Sequence, residues 1–203
     1  MYHKVIKMKK VIENSLQKAI SYSAYRNLVK DLLVKGKSTG SNQSDDLLNY
    51  SLLNDKRMQR LDKTIKISEE TIAKLKDISE PQTWLVISEG WCGDAAQNLP
   101  VINKIAEENN NIKLQVVLRD ENLELMDNFL TNGGRAIPKL IALDKNNEVI
   151  NTWGPRPDIA TKMVTDYKAE KGALDADFKK DLQVWYNKNK GLNVQENLIA
   201  LLK

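Results

Sequence analysis

The feature that most limits how this chain can fold is an apolar strand that ends in a short turn and leads directly into a helix. Residues 84–87 (Trp-Leu-Val-Ile) form a continuous apolar run, which is typical of a central strand covered on both faces. Apolar residues return at helical spacing over residues 94–109, with Pro100 inside the segment, so the pattern predicts a helix with a kink. The turn between these two elements holds Cys92, the single cysteine of the chain.

The rest of the apolar pattern predicts an α/β core between helical segments. Residues 112–118 mostly alternate apolar and polar side chains, as a strand does, and Ser44 and Ser68 each precede a helical pattern that they are predicted to start. Further predicted elements are one helix over residues 11–35, a loop over 36–43, a short helix over 122–130, two strands over 139–143 and 148–153 that meet in a hairpin turn, a helix capped by Asp158, and helices after Gly172 and Gly191. This order is typical of an α/β fold with helical extensions.

Composition excludes several classes of protein. The 203 residues carry 31 basic and 27 acidic side chains, interleaved along the chain, and the net charge of +4 indicates no basic face for nucleic acid or an anionic membrane. A single cysteine cannot form an internal disulfide, which suits a reducing compartment. The sequence shows neither a secretory signal nor an apolar stretch near the ~18 residues of a transmembrane helix. We therefore expect a cytoplasmic protein that binds neither nucleic acid nor membrane.

Cys92 is the first candidate for chemistry. A thiol attacks only as the thiolate, and the N-terminus of a helix favours that form. Because Cys92 lies just before the predicted helix, we expect the helix to lower the pKa of the thiol and the neighbouring Asp94 carboxylate to restore part of it. The position also suits a small buried apolar residue, the usual fate of a lone cysteine. Spacing alone leaves both interpretations open.

Few other residues suggest partners for Cys92. Arg135 and Arg156 can each stabilise a thiolate or hold an acidic group through two hydrogen bonds, or can simply form ordinary ion pairs. His3, the single histidine, lies near the start of the chain. The sequence therefore predicts no metal site, no Cys-His pair and no cofactor.

Three segments, in order along the chain, resemble the thioredoxin superfamily. They are Trp-Cys-Gly at residues 91–93, Arg-Ala-Ile-Pro-Lys-Leu at residues 135–140, and Lys-Asn-Asn-Glu-Val at residues 145–149 ahead of Gly154. The longer string Glu-Gly-Trp-Cys-Gly-Asp-Ala at residues 89–95 is similar to a bacterial thioredoxin-like subgroup whose active-site turn lacks the resolving cysteine.

The resemblance implies a fold and a division of the chain. The expected fold is an α/β, thioredoxin-like central mixed sheet flanked by helices. Residues 82–170 form the expected core, residues 1–81 a helical N-terminal extension, and residues 171–203 C-terminal helices packed on the core.

The resemblance also implies roles for individual residues. Cys92 is the expected nucleophile, Pro138 is expected to have a cis peptide bond beside the sulfur, and Ile137 is expected to offer its backbone to an extended substrate. The other residues expected around the substrate are Trp91, Gly93, Asp94, Arg135 and Arg156, with the amides of Gly93 and Asp94 stabilising the thiolate.

Two departures from the family pattern shape the functional hypotheses. Ala95 replaces the resolving cysteine, and Val86 replaces the buried carboxylate that serves as proton acceptor. Attack by Cys92 on a disulfide would stop at a mixed disulfide that needs an external thiol for release. The first hypothesis is therefore a monothiol thiol-disulfide oxidoreductase acting on protein or small-molecule mixed disulfides, with a disulfide-containing protein or a low-molecular-weight thiol as its partner. The alternative is a redox-inactive adaptor that keeps the fold for binding a protein.

Overall fold

The structure, a computed structural model, describes residues 2–202, with side chains from residue 7 onward. The side chain of His3, the single histidine, lies outside the described residues. The helices are α1 (Tyr2–Leu16), α2 (Tyr22–Val34), α3 (Asp45–Thr64), α4 (Glu69–Leu75), α5 (Gly93–Glu107), α6 (Leu123–Asn128), α7 (Asp158–Lys171), α8 (Ala176–Asn189) and α9 (Leu192–Leu201). The strands are β1 (Gln82–Ser88), β2 (Ile112–Leu118), β3 (Lys139–Leu143) and β4 (Val149–Trp153).

The four strands form one mixed sheet in the order β2-β1-β3-β4. β1 pairs in parallel with β2 and antiparallel with β3, and β3 pairs antiparallel with β4. Because β1 lies between two strands and under helices on both faces, its residues from Trp84 to Ser88 are buried. This arrangement confirms the predicted mixed sheet flanked by helices.

Successive residues of β1 face two separate cores. Trp84 and Val86 pack with residues of α2, α3 and α5 on one face of the sheet. Leu85 and Ile87 pack with residues of α1 and α6 on the other face. Each fully buried aliphatic side chain of this kind contributes about 1.5–3 kcal/mol to folding, so the two cores hold the N-terminal helices firmly against the sheet.

The predicted single helix over residues 11–35 is wrong, because this segment forms two helices. α1 ends at Leu16, and α2 begins after its capping residue Ser21. Between them Ile20 forms an isolated antiparallel bridge to Val116 of β2, with backbone N···O distances of 2.9 and 2.8 Å. Apolar side chains continue through this break at helical spacing, so periodicity alone does not reveal it.

Several other boundaries follow the predictions. β2 and β3 have the predicted bounds, and Ser44 and Ser68 each cap a helix by accepting a hydrogen bond from the N–H group three residues later. α5 continues through Pro100. Asp158, in contrast, does not cap α7: it is the first residue of that helix, and its carboxylate accepts a hydrogen bond from Asn197 of α9.

The C-terminal helices return to the end of α5 that follows Cys92. Tyr186 and Gln183 of α8 form hydrogen bonds with residues of α5, while α3 packs along α5 as well. The N-terminus of α5 therefore lies between one helix from before the sheet and one from after it. Among residues 2–202, no helix combines the length and apolar character needed to cross a membrane.

Candidate functional site

Cys92 lies at the junction that its sequence motif predicts, as the residue that caps α5. Its Sγ accepts a hydrogen bond from the Ala95 N–H at 3.4 Å, and donates one to the Ile137 carbonyl oxygen at 3.2 Å. The residue is only 9% exposed and packs with the apolar core beneath α1 and α6. A sulfur that donates to a carbonyl is a thiol, so this geometry describes the protonated form.

The expected lowering of the Cys92 pKa is wrong. Burial, followed by the negative charge of Asp94, raises the pKa of the thiol to about 12. The backbone N–H groups of Ala95 and Asp94 and the charge of Arg156 act in the opposite direction, but they are the smaller influences. The free energy lost when the thiolate is removed from water is larger here than the free energy gained from the helix N-terminus.

Asp94, two residues later, is also desolvated but has charged and polar partners. Arg156 Nη2 lies 2.6 Å from its Oδ2, and the Tyr186 hydroxyl donates to its Oδ1 at 3.0 Å. Burial raises the pKa of Asp94, while Arg156 and Tyr186 counteract that rise. The structure thus places Asp94 and Arg156 beside Cys92, where the two residues form an ion pair with each other.

The other predicted arginine lies elsewhere. Arg135 forms a two-point ion pair with Asp127, with Nε–Oδ1 and Nη2–Oδ2 distances of 2.6 and 2.8 Å. Both side chains are 47% exposed. Since Asp127 satisfies the Arg135 guanidinium at the surface, the structure places it in an ordinary ion pair rather than beside the sulfur.

Ile137 lies directly against Cys92, and Pro138 follows it in the chain. The Ile137–Pro138 peptide bond is cis, and both residues are buried. The Ile137 carbonyl, which the sequence suggests as a group for binding substrate, is occupied by the Cys92 thiol. Gly154 packs behind this pair at φ +113°, where a Cβ atom would lie 2.2 Å from the Pro138 carbonyl oxygen.

Trp91 is half-buried and covers the outer side of the turn. The guanidinium carbon of Arg119 lies 4.7 Å from the centre of the Trp91 ring, within the range of a cation–π contact. Arg119 also pairs with Asp120 at 2.8 Å. These contacts fix the indole on the turn rather than leaving it free.

Sequence reasoning missed three residues that hold the turn in place. Glu89 is fully buried, and its Oε1 accepts the Asp120 N–H at 2.9 Å; burial raises the pKa of Glu89. Thr39 Oγ1 accepts the Gly90 N–H at 2.8 Å, and Asn54 Nδ2 donates to the Gly90 carbonyl at 2.9 Å. Thr39 and Asn54 lie over 30 residues before the turn, so no local pattern indicates them. Glu89 does have a local signal, because it is a charged residue at the end of an apolar strand.

A groove of about 530 Å³ opens on the turn, between α3 and α8. Its floor is residues 91–94, and both helices supply apolar side chains to its walls. Gly93 lies between the walls, since a Cβ atom there would be 3.7 Å from Gln183 Nε2 of α8 and 3.9 Å from Arg57 Nη1 of α3. The lining includes Cys92 but none of residues 135–138. The space that reaches the turn is therefore built by the helical extensions.

The two positions at which the family pattern has a resolving cysteine and a buried carboxylate are apolar in this chain. Val86 is fully buried in an apolar core, and Ala95 is buried beneath the sulfur. Among the side chains described, those of residues 7–202, no three histidine, cysteine, aspartate or glutamate residues come together as metal ligands would.

Comparison with known proteins supports the fold. A family model described as thioredoxin matches residues 40–168, more than half of the chain, and this segment includes α3 and α4. A crystal structure of a protein of unknown function from Pseudomonas aeruginosa is similar, with a TM-score of 0.55 and 16% identity over 90% of this chain and 97% of that one. A crystal structure of an HIV epitope scaffold has the same TM-score and identity over 90% of this chain and 98% of that one. No curated protein matches the sequence.

Proposed function

This chain belongs to the thioredoxin family, and we propose that it acts as a binding module in which residues 91–94 form the floor of a ligand groove. This is the adaptor alternative, and the geometry supports it better than catalysis. The module would operate in the cytoplasm, where a reducing environment keeps a lone thiol such as Cys92 free.

One observation carries the proposal: the groove between α3 and α8 ends on the turn, while the Cys92 thiol is bonded to the Ile137 carbonyl. A nucleophile needs an accessible thiolate, yet Cys92 is buried and protonated in this arrangement. A binding floor needs only a fixed shape. The contacts of Gly90 with Asn54 and Thr39 supply that rigidity.

A second function, monothiol disulfide exchange, is favoured by the Ala95 N–H that points at Sγ and by the nearby charge of Arg156. In that reaction Cys92 first loses its proton to solvent, and the thiolate then attacks one sulfur of a disulfide. A mixed disulfide with Cys92 forms and the other half of the substrate leaves as a thiolate. An external thiolate then attacks the substrate sulfur of the mixed disulfide, which releases Cys92 as a thiolate and leaves a disulfide between the external thiol and that half of the substrate.

The experiment that separates the two functions is alkylation of Cys92 in the folded protein by iodoacetamide from about pH 6 to about pH 10, followed by intact mass. A binding module gives slow labelling that keeps rising to the top of this range. It also reduces bis(2-hydroxyethyl) disulfide, with glutathione as external thiol, no faster than its Cys92→Ser variant. Rapid labelling with a midpoint well below 9.0, the ordinary pKa of the thiol, together with turnover that Cys92→Ser abolishes, would overturn the proposal in favour of monothiol exchange.

A further inference from the structure

The chemistry of the groove walls identifies the kind of partner that fits. Resting on the proposed function, we infer that the groove between α3 and α8 binds an acidic polypeptide segment of another protein, one that carries aliphatic or aromatic side chains between its carboxylates. The inference concerns the partner of the same site. It depends on three features: apolar walls with exposed side chains on α3, cations without counter-charges, and a rigid floor.

Apolar side chains line both walls of the groove, and those on α3 are the more exposed. On α3, Leu47, Tyr50 and Leu53 follow one another at a spacing of three residues along one face, and Tyr50 and Leu53 are each 50% exposed. Across the groove, the half-buried Leu174 and the buried Leu182 form the apolar part of the other wall. Apolar side chains gathered on facing walls, rather than scattered singly, mark a surface that gains free energy when a partner covers it.

The charged residues of the groove are almost all cationic. Arg57, Arg156, Lys179 and Lys180 line it, and Asp94 is the one carboxylate among the described lining residues. Asp94 is already paired with Arg156. The groove therefore carries an excess of positive charge, which favours a partner with negative charge.

Three of these cations have no acidic partner of their own. Neither Lys179 nor Lys180 approaches a described carboxylate closely enough to form an ion pair, and Arg57 donates only to the neutral Asn54 Oδ1, at 2.8 Å. Burial and the charge of neighbouring Arg60 lower the pKa of Arg57, as expected for a cation that lacks a counter-charge. A bound carboxylate would supply that charge.

The placement of the cations favours a chain over a small anion. Arg57 lies on the α3 wall, whereas Lys179 and Lys180 lie near the start of α8 on the opposite wall, with apolar side chains on both. A fatty acid or similar amphiphile has a single charged head and would engage cations at one end. A peptide presents several carboxylates separated by apolar side chains, which matches cations on both sides of an apolar floor.

Both walls are tied to the floor, so the groove is formed before the partner arrives. Asn54 of α3 donates to the Gly90 carbonyl, and Gln183 of α8 accepts from Gln97 Nε2 at 2.8 Å. Tyr186 of α8 donates to Asp94. A preformed groove loses little conformational freedom on binding, so the free energy gained from apolar contacts is not offset by the ordering of the walls.

The test measures binding of three fluorescein-labelled peptides to the full chain by fluorescence anisotropy. The peptides alternate leucine with glutamate, with glutamine or with lysine. We expect the glutamate peptide to bind at least about tenfold more tightly than the glutamine peptide at low salt, and that advantage to shrink as salt is added. The lysine peptide is expected to bind most weakly.

Variants locate the binding in the groove. Lys179→Glu with Lys180→Glu is expected to weaken the glutamate peptide at least about tenfold, and both glutamates are tolerated near a helix N-terminus. Lys30→Glu with Lys76→Glu, which makes the same change of charge at exposed positions on α2 and after α4, is expected to leave affinity unchanged within about twofold. Leu53→Asp, in the apolar wall, is expected to weaken all three peptides.

The outcomes separate this inference from the proposed function. If the glutamine or lysine peptide binds as tightly as the glutamate peptide, and Leu53→Asp still abolishes that binding, the acidic preference is overturned but the binding groove is not. Equal weakening by the two double variants would also overturn it. Binding of decanoate alone, with no peptide bound, would replace the polypeptide by a small amphiphile. Failure of decanoate and of every peptide would overturn both the inference and the proposed function.

Discussion

Two desolvated ionisable groups, Cys92 and Asp94, lie on opposite sides of the α5 N-terminus in very different surroundings. On one side, the Cys92 sulfur contacts an apolar core, with one carbonyl and one N–H group as hydrogen-bond partners. On the other side, Asp94 is nearly as desolvated but meets the guanidinium of Arg156 and the hydroxyl of Tyr186. The two residues are separated only by Gly93, and both benefit from the same helix end.

The contrast teaches that a helix N-terminus does not by itself fix the charge of a buried group. Burial is the largest influence on the pKa of both Cys92 and Asp94, and it raises both. What differs is the compensation, because Asp94 has the opposite charge of Arg156 in direct contact, whereas Cys92 is next to the like charge of Asp94 and is favoured as a thiolate mainly by backbone N–H groups and only last by Arg156. The thiol side is therefore built for a neutral group, and the carboxylate side for a charged one.

The largest effect is expected on the carboxylate side. Arg156→Met leaves the Asp94 carboxylate in place without its counter-charge, so we expect the free energy of unfolding in urea to fall by about 3 kcal/mol. The two side chains are 23% and 12% exposed, which makes this a largely buried pair.

The matched control for that variant is Arg135→Met, which removes an arginine from an exposed pair with Asp127. Solvent screens that pair, and we expect a loss below about 1 kcal/mol. If both variants lost the same free energy of unfolding, the buried ion pair would contribute no more to stability than the surface pair, which would contradict this contrast.

The next effect concerns the thiol side and depends on pH. Because the pKa of Cys92 rises from its ordinary 9.0 to about 12, the folded protein keeps a proton that the unfolded chain releases above pH 9.0. This contribution is complete below pH 9.0 and is lost as the pH rises towards 12. We expect the free energy of unfolding to fall by up to about 1.4 kcal/mol per pH unit in this window, in excess of any fall shown by Cys92→Ala.

The measurement is urea unfolding of both proteins at several pH values above neutral. Tyrosines that also titrate at high pH are common to both chains, so the difference between the two curves isolates the thiol. Parallel curves would mean that the sulfur is not held as a buried thiol.

A third prediction tests whether the charge of Asp94 affects the reactivity of Cys92. Asp94→Asn removes the negative charge that raises the Cys92 pKa and leaves Arg156 positive, so the thiolate should form more readily. We expect the rate of Cys92 alkylation near pH 8 to rise by about tenfold, equivalent to one pKa unit. Asp127→Asn, a carboxylate removed from a surface pair, serves as the control. A rate that does not change in Asp94→Asn would show that the thiol responds to its apolar surroundings alone.

The smallest effect concerns a buried charge on the strand that follows Pro138. Lys139 of β3 is buried next to Pro138, burial lowers its pKa, and its Nζ donates only to Thr131 Oγ1 at 3.3 Å. Removal of this poorly compensated ammonium by Lys139→Met should raise the free energy of unfolding by about 1 kcal/mol. Lys113→Met, at an exposed position of β2, should change it little. Destabilisation by Lys139→Met would show that the ammonium has a favourable role.

Sequence reasoning succeeded where a pattern is local. The bounds of β2 and β3 follow from residues within each strand, and the Cys92 turn follows from a strand and a helix that are adjacent in the chain. It failed where distant residues decide. The break at Ile20 depends on a bridge to β2, and the pKa of Cys92 depends on the depth of a core that no local pattern measures. Asn54 was missed because its partner lies 36 residues away.

The break between α1 and α2 has a consequence for association between copies of the protein. β2 forms one edge of the sheet, and an uncovered edge offers a row of N–H and C=O groups to any passing strand. Ile20 occupies both backbone groups of Val116, a position inside that row. A second chain could then add to β2 only over a short stretch on either side. A single residue that interrupts a helix thereby protects the sheet against edge-to-edge aggregation.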